Sequence, residues 1–499
     1  MSMKKVPKTR VVMRFSALFR GNFETACQDP REVCYNTSIS ALRKGSFMSP
    51  SVIFALLLFV LTYIFMLTKP NVRPAIAAFS ALIFIAVGSF GIFDDFSYSV
   101  GEALREIDWN VLMMIAGTMG TVWLFIESKM PQRLSDKLIG HVHSVKWLVV
   151  VLSLFAGLIS AFVDNVATVL MVAPVALAVC KRLEISPVAP IICISISSNL
   201  QGAATLVGDT TSILLGKAAN LDFMDFFFVE GRPGMFWVTE AGALAAAFVI
   251  WWMFRKDDQY IGESHTTEVE DVVPTLLLVL TVLSLIGVSF IPYKSNAAEG
   301  QLYKPDITNG LICMMFFLIG LVRQIVKDKS FAAAKNALKE IDFYTITLLA
   351  GLFIVIGGIS RAGVIDLIGS LLAGLSGSGS RGSVFLIYFI IVWVSVLLSA
   401  FIDNIPYTAT MLPIVAVVTA QLNAAGANVH PNLLYFGLLV GATLGGNLTP
   451  IGASANITAL GILRREGYEV KSSTFMKYGI PFTLTAVITG FLLVWIIWM

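Results

Sequence analysis

Two short stretches set an acid beside an amide inside long apolar runs: Ala161-Phe-Val-Asp164-Asn165-Val-Ala-Thr168 and Asp403-Asn404-Ile-Pro406-Tyr407-Thr408. An Asp at the centre of a membrane helix costs about 2.5 to 3.5 kcal/mol on insertion scales, so such residues mark ion paths and proton relays. The bland alternative is an acid that only bonds neighbouring backbone and locks helices together. Repetition argues against it, because Ser160-Ala-Phe-Val-Asp-Asn165 recurs as Ser399-Ala-Phe-Ile-Asp-Asn404 at an offset of 239, with five of six positions identical. A carboxylate in a low-dielectric cavity binds protons more tightly than in water, which lets proton and cation compete for it. Asp164 and Asp403 are therefore candidate coupling acids for H⁺ or Na⁺.

A second pair of polar breaks follows: Ser198-Asn199-Leu-Gln201-Gly202-Ala-Ala-Thr205-Leu-Val-Gly208-Asp209-Thr-Thr-Ser212 and Gly445-Gly446-Asn447-Leu-Thr449-Pro450-Ile-Gly452-Ala-Ser454-Ala-Asn456. Glycine, proline and small hydroxyl residues unwind a helix in lipid only where the freed backbone finds a partner or a cavity. Close helix packing is the competing reading for any single glycine. Four breaks converging make one site. Its acceptors would be Asp164, Asp403, Asp209 and unwound carbonyls, which suit Na⁺ or a proton. Its donors would be Asn165, Asn404, Asn447, Thr205, Thr449 and half-helix N-termini, which suit an anion or a neutral oxyacid. Thr168, Asn199, Gly208, Thr408, Gly452, Ser454 and Asn456 complete the candidate binding set. No Lys or Arg lies between Ser160 and Val179 or between Ser399 and Val418, which favours a singly charged or neutral cargo; Lys217 and Arg361 are the nearest basic residues that could reach in.

The elements that position these residues are membrane helices. Of 499 residues 57% are hydrophobic and 13% charged, against about 25% charged in a soluble domain. That excludes a water-soluble globular protein, and the low charge and scattered five Cys exclude disordered and disulfide-rich secreted classes. Twelve apolar segments give ten to twelve crossings: 51–68, 75–93, 109–126, 147–179, 188–215, 235–254, 273–291, 307–322, 344–359, 384–418, 433–463 and 479–498. The run from Trp147 to Val179 is too long for one straight span and fits two short arms joined at Asp164-Asn165, a re-entrant hairpin or broken helix. Asp403-Asn404 makes the matching tip, with Pro406 in the first turn of the next arm, where its missing N–H costs little.

Further repeats align Ile107-Asp108-Trp109 with Ile341-Asp342-Phe343 at an offset of 234, and Gly208 with Gly452 at 244. Two related halves follow, residues 51–256 and 272–499, joined by a charged linker at 257–271 and preceded by a basic arm at 1–50. Broken segments at corresponding places in two halves point to a transporter's midplane site. The arm holds nine Lys/Arg against three Asp/Glu and lacks a secretory signal's shape, so it is expected in the cytoplasm, held near anionic lipid. The basic loop from Arg323 to Lys339 is expected on that side too.

Several apparent motifs carry no chemistry. Gly377-Ser-Gly-Ser-Arg-Gly382 fits a dinucleotide-binding pattern but follows no strand. Asn447-Leu-Thr449 and Asn456-Ile-Thr458 match the glycosylation pattern inside membrane breaks. His141 and His143 lack further ligands at metal spacing. No HExxH, P-loop or nucleophile–base constellation is present, so neither an enzyme nor an ATP-driven pump is expected, and no cofactor beyond the coupling ion.

At Ser160 to Asn165, Asn199 to Asp209 and Gly445 to Asn456 the chain resembles the ion transporter superfamily, in its ArsB/NhaD branch of arsenite permeases, sodium–proton antiporters and P protein-like members; citrate-transporter-like families belong to the same superfamily. The resemblance covers nearly everything after residue 50. It implies an all-α polytopic fold of two inverted repeats, a scaffold that dimerises, and a transport part that moves like an elevator, with both tips and both breaks lining the site. This chain departs from many relatives at Gly208-Asp-Thr-Thr-Ser212, where they carry Gly-Asp-Pro-Pro-Asn, and at Gln201-Gly202, where they carry two glycines.

The expectation is a multi-pass protein of the plasma (inner) membrane with a cytoplasmic N-terminus. It would be a homodimer without nucleic-acid partners, coupling a small inorganic ion or oxyacid to H⁺ or Na⁺, with Na⁺ placed at Asp164 and Asp403. Na⁺-coupled uptake of a carboxylate or inorganic anion is the alternative, and an ion channel a weaker one.

Overall fold

Where an apolar run starts on a capping residue and meets no internal break, one continuous helix forms. Helix α1 (Pro50–Thr68) starts with Pro at its first position and Ser49 accepting from the Val52 N–H. It is followed by α2 (Arg73–Ser89), α3 (Val100–Glu106), opened by a capping box between Ser99 and Glu102, and α4 (Trp109–Glu127). Then come α5 (Met130–Ile139), α6 (Val145–Ser160), α7 (Asn165–Arg182), α8 (Val188–Gln201), α9 (Thr210–Ala219) and α10 (Met235–Met253). The computed structural model describes residues 49–142, 144–260, 267–269, 271–293, 301–374 and 380–499. The basic arm through residue 48, part of the charged linker, His143 and residues 377–379 of the glycine-rich match lie outside them.

The second run of helices repeats this order. It comprises α11 (Val273–Ser289), α12 (Thr308–Asp328), α13 (Ala332–Glu340), α14 (Phe343–Arg361), α15 (Val364–Gly374), α16 (Arg381–Ser399), α17 (Asn404–Ala424), α18 (Pro431–Gly445), α19 (Ser454–Arg465) and α20 (Ser472–Trp498). Equivalence extends to the caps: the Val111 N–H donates to Asp108 at 3.0 Å at the start of α4, and the Thr345 N–H donates to Asp342 at 3.0 Å at the start of α14.

The two halves run in opposite senses and interlock. Loops following α4, α7, α10, α12 and α19 meet at one end, the linker end, through Lys146–Asp258 (2.5 Å), Thr267 on Asp136, Arg323–Asp271 (2.6 Å) and Lys181–Glu466. Partial burial works against the charged form of Asp271, but Arg323 and Lys327 outweigh it and hold its carboxyl down at about 2. Since α11 starts at this end while α1 starts at the other, the repeats are inverted. Helix α4 packs on α12, and its counterpart α14 packs on α2; α10 lies along α20. The short helices beyond the breaks cross over, α9 onto α17 and α19 onto α7 and α8.

Among the described residues ten helices are long and apolar enough to cross a membrane, and α1 and α11 turn Leu57, Phe65, Leu276 and Leu283 outward, as hydrocarbon requires. This is an integral multi-pass membrane protein. Each overlong run resolves as its length demanded: 147–179 and 384–418 into hairpins α6–α7 and α16–α17, 188–215 and 433–463 into broken helices α8–α9 and α18–α19. Apolar-run length passed over α3, α5, α13, α15 and the hairpin Phe228–Val229/Arg232–Pro233, which are too short or too charged to span. The segment read as a loop from Arg323 to Lys339 is instead the end of α12 followed by α13.

Candidate functional site

Each hairpin tip is built on its Asp. The backbone N–H groups of Val166 and Ala167 donate to Asp164 Oδ2 at 3.0 and 3.2 Å, opening α7, and that of Ile405 donates to Asp403 Oδ1 at 3.2 Å, opening α17. Backbone capping is thus one part of both acids' work.

Each break then packs against the tip of its own half. After α8, residues Gly202–Ala204 form a 3₁₀ turn and Thr205 is extended, with φ −130° and ψ 167°; Gly446–Leu448 and Thr449 repeat this. The Thr205 hydroxyl donates to the Ala161 carbonyl and that of Thr449 to the Ala400 carbonyl. Close approach dictates two glycines. A Cβ on Gly208 would sit 2.6 to 2.8 Å from the carbonyl oxygens of Gly202, Ser160 and Ala161, and one on Gly452 would sit 2.6 to 2.9 Å from those of Gly446, Ser399 and Ala400. Carbonyl oxygens therefore crowd both tips, at the negative ends of α6 and α16.

The amides proposed as free donors donate within the protein. Asn165 Nδ2 donates to Asn199 Oδ1 at 3.0 Å. Asn199 Nδ2 donates to the Thr443 carbonyl at 2.8 Å and to Asn447 Oδ1 at 3.1 Å, and Asn447 Nδ2 to the Ile196 carbonyl at 2.8 Å. Asn456 Nδ2 donates to the Gly446 carbonyl at 3.1 Å and its Oδ1 accepts from Ser195 at 2.7 Å. Asn404 Nδ2 lies 3.3 Å from Asp209 Oδ2, which also accepts from Thr211 at 2.8 Å. This buried chain joins tips and breaks of both halves. Thr168 donates weakly to the Val163 carbonyl at 3.5 Å, whereas the fully buried Thr408 hydroxyl has no partner among the described residues.

Asp164 and Asp209 line one cleft of about 210 Å³ together with Gly208, Thr210 and, from α4, Ile115, Thr118 and Met119. A larger cavity of about 360 Å³ shares Ile213 with it and is lined by Asn110, Lys217, Asn220, Tyr293 and Asp306. No Lys, Arg or His pairs with Asp164 or Asp209 among the described residues.

Asp403 differs from its counterpart. Its Oδ2 accepts from Arg73 Nη1 at 3.0 Å and from Ser454 at 3.5 Å. Arg73, the first residue of α2, also donates through Nε to the Met66 carbonyl at 3.1 Å. Lys217 pairs with Asp108 at 3.2 Å and lines the larger cavity, while Arg361 pairs with Glu102 and Glu106 away from both tips. Arg73 is the residue at the candidate site that sequence reasoning missed. It lies 330 positions from Asp403, in a Lys69-Pro-Asn-Val-Arg73-Pro turn that no spacing rule connects to a tip. The Na⁺ expected at Asp403 meets a competitor in this guanidinium. Among the described residues no three His, Cys, Asp or Glu cluster as a metal site.

The citrate transporter family model matches residues 57–441. An uncharacterized transporter of Mycobacterium tuberculosis is 29% identical over 447 residues, covering 89% of this chain and 98% of its own length. The P protein of Homo sapiens is 26% identical, over 79% of this chain and 54% of that protein. Among solved structures, the Alcanivorax borkumensis YdaH transporter aligns with TM-score 0.56 and 16% identity, over 89% of this chain and 97% of its own. The Neisseria gonorrhoeae MtrF protein, described within a class of antimetabolite efflux pumps, aligns with TM-score 0.51 and 14% identity, over 93% and 97%. At these identities the structures share the fold alone.

Proposed function

Because the chain belongs to the citrate transporter family, and is therefore a membrane transporter, we propose that it is a secondary active transporter exchanging a small inorganic ion or oxyacid against H⁺ or Na⁺. Asp164 and Asp209 are the carriers of the coupling ion in this reading. The observation that supports it is their shared cleft: two intramembrane carboxyl groups with no basic partner among the described residues need a proton or a cation to be neutral. The amide chain from Asn165 to Asn447 fixes the two breaks against each other, so that occupancy of one tip is felt at the other. Movement of hairpins and broken helices as one body past α2, α4, α12 and α14, and pairing of two copies through the scaffold, belong to the same proposal.

A second reading has its own support. Arg73 at the Asp403 tip is a fork-shaped donor suited to a carboxylate, and a dicarboxylate cargo would take it from Asp403 as Na⁺ filled the vacated acid. Fluorescence of a pH probe in proteoliposomes holding a proton gradient tests both, adding Na⁺, Li⁺, arsenite and then dicarboxylates. A response to a cation or arsenite that disappears in Asp164→Asn supports exchange. A response to dicarboxylates alone moves the assignment to uptake, and ohmic leak without coupling would make it a channel.

A further inference from the structure

Helix α10 carries one charged residue, Glu240, in a run of 19 otherwise uncharged residues. Glu240 is half-buried, and both its oxygens lie 2.9 Å from Gln201 Nε2. Gln201 is the last residue of α8, where the first break begins. Its side chain reaches Glu240 through a notch in α6: a Cβ on Gly157 would stand 1.4 Å from Gln201 Oε1. That oxygen also faces the Ser197 hydroxyl at 3.5 Å.

The other half lacks this arrangement, and the way it lacks it is informative. At the repeat offsets, Gln201 corresponds to Gly445, Gly157 to Val396 and Glu240 to Leu484. In the second half the glycine stands on the broken helix, where a Cβ on Gly445 would meet Val396 at 2.6 Å. In the first half the glycine has moved to the hairpin arm, and the space it frees holds an amide that bridges to an acid. Three positions differ together, which packing alone does not require.

No counter-ion serves this acid among the described residues. Around α10, α8 has no charged residue; α6 offers only Lys146, bonded to Asp258; α20 offers only Lys477, over the Tyr478 ring. Arg232 of the preceding strand donates to the Ile497 carbonyl. In apolar surroundings a carboxyl without a cation exchanges a proton instead.

We propose that Glu240 is a proton-binding site separate from the Asp164–Asp209 cleft, and that Gln201 relays its occupancy to the first break. Ionised Glu240 accepts from the Gln201 Nε2 group as the structure shows. Protonated Glu240 donates its O–H to Gln201 Oε1, which requires the amide to rotate and release the Ser197 hydroxyl. The ligand is the proton alone, and the site does not depend on which cargo the transporter carries.

Infrared difference spectroscopy of the purified full-length protein tests this, by titrating the carbonyl stretch of protonated carboxyl groups over pH. One band is expected to vanish in Glu240→Gln, to persist in Asp164→Asn, and to change its midpoint in Gln201→Leu. Labelling of wild-type protein with dicyclohexylcarbodiimide, which attacks protonated carboxyls, is expected at Glu240 at low pH and to fall as pH rises, so the result does not hinge on a variant folding. A carbonyl spectrum unchanged in Glu240→Gln, or a Glu240 peptide unlabelled at every pH, would overturn the proposal. Loss of the band in Asp164→Asn would overturn its independence from the cleft.

Discussion

Replacing Arg73 by Ala leaves Asp403, with 12% of its side chain exposed, facing only the Ile405 N–H and a long contact to Ser454. Breaking a buried ion pair from one side costs about 3 to 5 kcal/mol, because the surviving charge is left without compensation. The lower figure applies here, since one guanidinium nitrogen makes the contact. Asp403→Asn is expected to cost less, about 1 kcal/mol: Arg73 keeps its bond to the Met66 carbonyl and, from the first residue of α2, can turn its head toward the interface. The double variant Arg73→Ala/Asp403→Asn should then be more stable than the sum of the single losses by about 2 kcal/mol. Thermal unfolding in detergent reads this, through a thiol-reactive dye reporting exposure of the buried Cys180, Cys193 and Cys313. An additive double variant, or Asp403→Asn more damaging than Arg73→Ala, would refute the assignment of Arg73 as the counter-ion of this tip.

Gly208→Ala and Gly452→Ala each drive a methyl group against three carbonyl oxygens and are expected to abolish a monodisperse size-exclusion peak, while Gly461→Ala, with nothing within 4 Å of the added carbon, should preserve it. Thr205→Val and Thr449→Val each orphan a tip carbonyl and should lower stability by about 1 to 2 kcal/mol, by similar amounts in the two halves; a loss in only one would contradict the equivalence of the tips. The linker end gathers Arg133, Lys137, Arg182, Arg323, Arg464 and Arg465 among other bases, and the positive-inside rule assigns it to the cytoplasm. In a Cys27→Ser/Cys34→Ser background expressed in a bacterial host, Ala425→Cys should then react with an impermeant maleimide in whole cells and Glu469→Cys only after permeabilisation. The opposite pattern would put the Pro50 end in the cytoplasm, the side the basic arm by itself suggests.

The membrane elements were readable because length is a physical constraint: a run of about 33 residues is too long for one straight span, so two arms joined at an Asp tip followed from run length and from two polar residues in the middle, with hairpin and broken helix both open. The duplication was visible as offsets drifting from 234 to 244 between motifs, but offsets carry no direction: inversion came only from the family resemblance, and interlocking not at all. Side-chain roles were less readable. Asn165 and Asn447 look like substrate donors, and Asn199 like part of the same binding set, because amides in lipid need partners, yet they found those partners in each other, across a seam between halves that sequence spacing does not encode. Arg73 was invisible for the same reason. Gln201 was noticed only as a departure from a pair of glycines, and its meaning required Gly157 and Glu240 on two other helices.

The central claim is coupling through Asp164, and concentrative flux measures it most directly. Once the cargo series in proteoliposomes has identified a responding ion, its distribution is followed with equal cargo on both sides and an imposed pH or Na⁺ gradient. Wild-type protein should drive the cargo away from equality until the gradients balance, and Asp164→Asn should leave it equal while the folded protein remains monodisperse. Asp164→Asn driving the cargo as far as wild type does would contradict the account.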